Sequence, residues 1–261
     1  QKGGFIEMII DSHTHIREGR GNVKDFLKAM DENNIDMAVV HPIVPGSDSL
    51  GYSDNEFIGK LVKQYPDRLM GYACVVPTEA NAADELRHAV EKYGLKGLKL
   101  HPPIQNFSLL DPRIDKCIVA CIEMDIPILI HTGPIYSRNA RLALSSSEPI
   151  DDLAIRYPEA KFIIAHGNPW GIDPCMVAKH ENVYMDTTST FSEFISILPK
   201  LGPMTYEWMR TDERILFGTD ANPLHTERFK SDITPLLSMD ISDESKEKLF
   251  CTNIKRLLKM A

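Results

Sequence analysis

Cysteine is scarce in this sequence: five residues in 261, none in a C-x-x-C pair, and an odd total. That argues against a disulfide framework and for a reducing compartment. Cys117 and Cys121, four apart, read as small buried hydrophobes on one helix face. No apolar run is long enough to cross a bilayer, and the N-terminus lacks the shape of a signal peptide. A cytoplasmic protein is therefore expected. Residues 1–7 read as a lead-in or an expression remnant, with translation starting at Met8. No block of like charge stands out, and 29 basic against 37 acidic residues leave a net charge of −8. Nucleic acid and anionic membrane are poor partners for such a surface. No glycine-rich turn follows the first apolar run, which weakens the case for a doubly wound nucleotide-binding sheet.

Short β-branched runs alternate with longer amphipathic stretches instead. The predicted strands are MIIDSH (8–13), MAVVHP (37–42), LMGYACV (69–75), LKGLKLH (95–101), IPILIH (126–131), KFIIAH (161–166), NVYMDT (182–187) and RILFGTD (214–220). Between them, segments 22–34, 53–66, 78–94, 111–124, 148–158 and 243–260 carry apolar residues at three- and four-residue spacing, as helices do. Ser53 and Asp54 are candidate caps for the second helix, and Gly94 is a candidate stop for the third. Repeated strand–helix units predict one domain over residues 1–261, a single (β/α)8 TIM barrel. Two long connections, 133–147 and 187–212, are candidate lids, the second with room for short helices.

Side chains two apart on a strand share a face. In LKGLKLH, Leu98 and Leu100 point one way, toward helices, so Lys99 and His101 face the barrel interior. Other predicted strands end in His131, His166 and Asp220, the NVYMDT strand nearly ends in Asp186, and the first ends with Asp11, His13 and His15. A barrel carries its chemistry at the C-terminal ends of its strands, where these groups collect. Buried polar groups without partners cost roughly 1–3 kcal/mol each, and a cation supplies a partner. Three imidazoles and one carboxylate match one divalent metal ion, zinc best, with manganese, iron or cobalt also suited.

DSHTH (11–15), GLKLHP (97–102), IHTG (130–133), AHGN (165–168) and GTDANP (218–223) follow one another in an order that resembles the amidohydrolase superfamily of metal-dependent hydrolases. The resemblance is closest to the amidohydrolase-related branch that also contains aminocarboxymuconate-semialdehyde decarboxylase, and it covers nearly the whole chain. It implies His13, His15, His131 and Asp220 as metal ligands, with His166 beside the metal-bound water and Asp220 shuttling a proton. Two-metal relatives often carry a carboxylated lysine at the end of the fourth strand. Here that strand ends in His101 with Lys99 one layer deeper, so a single ion is expected. Asp11 and Asp186 are candidates for orienting ligand imidazoles, or for hydrogen bonding to backbone at the strand ends.

The expected reaction is attack by metal-bound hydroxide on an amide, lactone or ester carbon of a small, carboxylated substrate. Non-oxidative decarboxylation of an unsaturated or aromatic acid is the alternative. A non-catalytic barrel would be expected to have lost a centre residue, and none is lost. Arg17, Lys99, His101 and Trp170 are the candidate substrate-binding residues. Arg17 also reads as a solvated surface charge, as do Arg138 and Arg141, and Trp170 either walls a pocket or packs a loop. His41 is expected at the pocket edge and His225 at its rim, while His88 and His180 look unrelated to the centre. The oligomeric state stays open, a homo-oligomer included.

Overall fold

The computed structural model describes Ile6, residues 8–42 and residues 55–260. The proposed Ser53–Asp54 cap lies outside the described residues. The strands are β1 (Ile10–His15), β2 (Met37–His41), β3 (Leu69–Gly71), β4 (Ala73–Cys74), β5 (Leu98–Leu100), β6 (Ile128–His131), β7 (Phe162–Ala165), β8 (Val183–Asp186) and β9 (Ile215–Leu216). All pair in parallel and in chain order, β1 to β3 in one sheet and β4 to β9 in another.

Backbone hydrogen bonds join the two sheets into a barrel. At Tyr72 the third predicted strand changes partners: Tyr72 N donates to Val40 O on β2, and Ala73 N donates to Gly97 O before β5. Counted as one interrupted strand, β3 and β4 bring the circuit to eight. Across the seam, Ser12 N donates to Phe217 O, Asp220 N to His13 O and His15 N to Ala221 O, all at 2.8–2.9 Å. The first strand runs on through His15, two residues beyond its expected end, because that seam bonding continues past His13.

The strands divide their side chains between two cores, as a period of two requires. Outward positions such as Ala38, Val40, Leu98, Leu100, Ile128, Ile130, Phe162, Ile164, Val183, Met185 and Ile215 pack under the surrounding helices. Inward positions Ile10, Val39, Tyr72, Leu129, Ile163 and Leu216 fill the barrel. Cys251, Ile254 and Leu257 join that inner set beside Met8, Met37 and Met70, which closes the N-terminal end with the chain's last segment. The opposite end is left to polar residues.

The outer helices include α1 (Val23–Glu32), α2 (Asn55–Gln64), α3 (Ala82–Tyr93), the single turn α4 (Pro102–Gln105), α5 (Asp115–Met124), α6 (Pro149–Arg156) and α7 (Asp173–Lys179). They continue with α8 (Thr190–Ile197), α9 (Leu201–Met209), α10 (Glu227–Leu237), α11 (Asp243–Glu247) and α12 (Asn253–Leu257). Asn22 caps α1 by accepting from Lys24 N at 2.8 Å. Gly94 ends α3 at φ 70°, a left-handed turn that suits glycine, as its position predicts. Cys117 and Cys121 are buried on α5. Helices α8 and α9 occupy the long connection after β8. The helix expected over 243–260 is interrupted by a π-helical turn, Lys248–Thr252. Just beyond it, the Asn253 side chain turns in to donate to Asp212 O and Ile215 O. Among the described residues, no helix is long and apolar enough to cross a membrane.

Candidate metal centre

Asp11, His13 and His15 enter the open end of the barrel from β1, and each plays a different part. The buried Asp11 carboxylate accepts from His13 N at 3.0 Å, Thr219 N at 3.2 Å and Thr219 Oγ1 at 2.6 Å. It ties β1 to the turn after β9, which is the backbone role of its two candidate roles. Burial raises its pKa well above the ordinary carboxylate value.

Asp186, at the end of β8, has the orienting role. Its Oδ2 lies 2.7 Å from His13 Nδ1, and its Oδ1 accepts from His166 N at 2.8 Å and Thr188 N at 3.1 Å. With Asp186 accepting at Nδ1, the proton sits there and the lone pair of His13 is on Nε2, turned toward Lys99 and Asp220. That Nε2 lies 3.2 Å from Lys99 Nζ and 3.7 Å from Asp220 Oδ1. Asp220 Oδ1 is also 3.0 Å from His15 Nε2. Burial lowers the pKa of His13, His15, His131 and His166 below the ordinary imidazole value, which favours the neutral, ligating form.

His166 and Asp220 both adopt left-handed backbone conformations, φ 58° and 56°. Such conformations are uncommon for residues with a Cβ and collect at functional sites. Gly218 gives His13 its room: a Cβ there would come within 2.6 Å of Thr188 Oγ1 and 3.0 Å of His13 Cβ.

The ligand atoms of His13, His166 and Asp220 lie within 4.8 Å of one another, and those of His13, His15 and His41 do too. His131 belongs to neither tight group. Its ring stacks on His101 at 3.8 Å and 12°, with its centroid 4.7 Å from that of His166, and its buried Nε2 has no hydrogen-bond partner. His15 Nδ1, His101 Nδ1 and both ring nitrogens of His41 are likewise buried without partners. So many unpartnered imidazole nitrogens beside one carboxylate fit a divalent metal ion, which would take up one nitrogen from each ring that ligates it.

Above the centre opens a cavity of about 570 Å³. His15, Arg17, Lys99, His101, His131, His166 and Asp220 line it. So do Arg228, Glu193, Tyr136 and His225, the last at the rim as expected. Lys99 is 1% exposed, and burial pushes its pKa down to about 8. Trp170 does not line the cavity: it is 65% exposed and meets Trp208 edge-on at 6.4 Å. Arg138 and Arg141 are exposed beyond the lining. His88 packs on Tyr93, and His180 bonds Asp151, both away from the centre.

Arg228, on α10, carries no signal in the sequence. Its Nη1 donates to the Asp220 carbonyl at 3.2 Å and also to the Asp220 carboxylate. Only the helix packing that follows the last strand reveals this contact.

A parallel barrel with imidazoles and carboxylates gathered at its strand ends defines the class of enzyme. The chain belongs to the amidohydrolase family, whose model matches residues 10–260. Its fold is shared by 5-carboxyvanillate decarboxylase from Sphingomonas paucimobilis, with a TM-score of 0.76 at 14% identity over 97% of this chain and 99% of that one. The corresponding decarboxylase from Novosphingobium aromaticivorans, solved with manganese, aligns with a TM-score of 0.70 at 17% identity, over 97% and 96% of the two chains. A protein described as a probable 2-pyrone-4,6-dicarboxylic acid hydrolase from Acinetobacter baumannii aligns equally well, at 0.70 and 17% identity over 97% and 99%. At these identities the likeness is one of fold.

Proposed function

We propose that the protein is a metal-dependent hydrolase that opens an amide, lactone or ester bond in a small carboxylated substrate. The observation that carries this reading is the meeting of buried His13 with His15, His166 and Asp220, the last three lining a cavity together with Arg17 and Arg228. His13, His15, His131 and Asp220 would hold one ion, zinc or manganese. When bound, such an ion supplies Lewis acidity and makes water a better nucleophile near neutral pH.

The chain's own groups do the rest. Asp186 fixes the His13 tautomer and holds the His166 backbone, so both rings keep their aim. His166, on the cavity floor, takes the proton of the attacking water and delivers it to the leaving group. Arg17 and the wall of His101 and Lys99 receive the substrate carboxylate through charge-assisted hydrogen bonds.

Decarboxylation is the second reading, favoured by the fold shared with two 5-carboxyvanillate decarboxylases. It needs a proton donor for the carbon that loses carbon dioxide. Asp220 accepts from Arg228 and faces His15, so it enters as an unprotonated carboxylate and the lyase reading would draw its proton from another cavity group such as Lys99. The test is a screen of lactones, amides, esters and unsaturated or aromatic carboxylates with defined added zinc or manganese. Water-dependent opening without gas release is expected. Stoichiometric carbon dioxide release would replace hydrolysis with the lyase reaction.

A further inference from the structure

Of the buried histidines at the open end of the barrel, His41 is the one to which neither the motifs nor the proposed reaction gives a role. It ends β2, in register with His15, and shares the inward face with Val39. Its ring is fully buried. Neither ring nitrogen has a hydrogen-bond partner, although an imidazole that deep ordinarily finds at least one. The neighbours do not supply it. The Tyr72 ring lies 5.0 Å away, but the Tyr72 hydroxyl is itself without a partner. The His13 and His15 rings stand at 5.0 and 5.4 Å, edge-on. What is close is ligand atoms: one nitrogen each from His13, His15 and His41 falls within a 4.8 Å group.

His13 has a single lone pair to give, because its Nδ1 is committed to Asp186. The group with His41 and the group with His166 and Asp220 therefore draw on the same His13 Nε2 and describe two sides of one ion, not two ions.

We propose that His41 is a ligand of that ion, entering from β2 beside His13 and His15. The inference rests on the metal-dependent reading given above. It adds an imidazole that the strand-end motifs do not mark, and it explains why a ring with two unpartnered nitrogens is kept in the barrel interior. Coordination would give one of the two unpartnered His41 nitrogens a partner that the chain itself does not offer.

The test compares wild type with His41→Gln and His41→Phe, the second keeping an aromatic ring against Tyr72. Zinc affinity is read by chelator competition, and Co2+ by the visible spectrum of the substituted protein. Both variants should bind zinc at least about tenfold more weakly and show altered Co2+ bands, with melting temperatures of the metal-free forms little changed. Equal affinity and an unchanged Co2+ spectrum in both variants would overturn the role of His41 while leaving the metal reading intact. If wild type itself takes up neither ion, the metal reading fails and this inference with it. Should the variants not fold, a crystal structure of zinc-loaded wild type decides. A His41 nitrogen about 2.1 Å from the ion supports the proposal, and one beyond about 3 Å overturns it.

Discussion

Asp186 holds three groups at once, the His13 ring and the backbone amides of His166 and Thr188. Asp186→Asn keeps the size but offers an N–H where His13 now finds an acceptor. The His13 tautomer is no longer fixed, and metal affinity should fall about 10- to 100-fold in a chelator competition. His166→Asn probes proton transfer rather than metal binding, so metal content should persist while turnover drops by orders of magnitude. Joint loss of metal and activity would instead make His166 a ligand. A third residue bears on stability. Burial raises the Asp232 carboxyl from 3.8 to about 7, although it accepts from Ser189 N. Between those values the folded chain binds a proton that the unfolded chain has released, so stability falls as pH rises through that window. Asp232→Asn can retain the Ser189 bond without the buried charge. It should therefore be more stable than wild type at about pH 8, by on the order of 2–4 kcal/mol, with the gain gone near about pH 4. Thermal melts of both proteins across pH read this directly. His13, His15, His131, His166 and Asp220 were legible because each ends an apolar run, and a period of two says which way it points. Arg228 was not, because its contact with Asp220 is made by a helix whose placement no local pattern specifies.

At the scale of elements, alternation predicted all eight strands, and it could not predict the change of partner at Tyr72. That break reflects packing: the Tyr72 ring lies across Gly97, where an added Cβ would sit 2.7–2.8 Å from three ring atoms. Gly97→Ala should destabilise the protein by about 1–3 kcal/mol in urea melts. Adding Tyr72→Leu should recover part of the loss, and simple additivity of the two changes would contradict the contact. The C-terminal helix was legible as amphipathic sequence, but not its π-helical turn, which depends on Asn253 reaching Asp212 and Ile215 far away in the chain. Trp170 illustrates the converse. Its place just after His166 suggested a pocket wall, yet the chain turns outward at Asn168, whose side chain accepts from Trp170 N, and the indole meets Trp208 instead.

For the molecule as a whole, the barrel turns separation along the chain into proximity. His13 and Asp220 come from the two ends of the sequence and lie 3.7 Å apart in space. The N-terminal end of the barrel is filled with apolar side chains and the C-terminal end with imidazoles and carboxylates, so stability and chemistry are kept at opposite ends. Because the folded chain presents these ligands together and the unfolded chain does not, an ion should stabilise the fold by mass action. The most direct test is metal analysis of protein purified without chelator, followed by stripping and a zinc or manganese titration monitored by melting temperature. About one ion per chain, and a melting temperature that rises with added metal, is the predicted result. Protein that carries no transition ion, takes none up and melts at the same temperature with and without it would contradict the account.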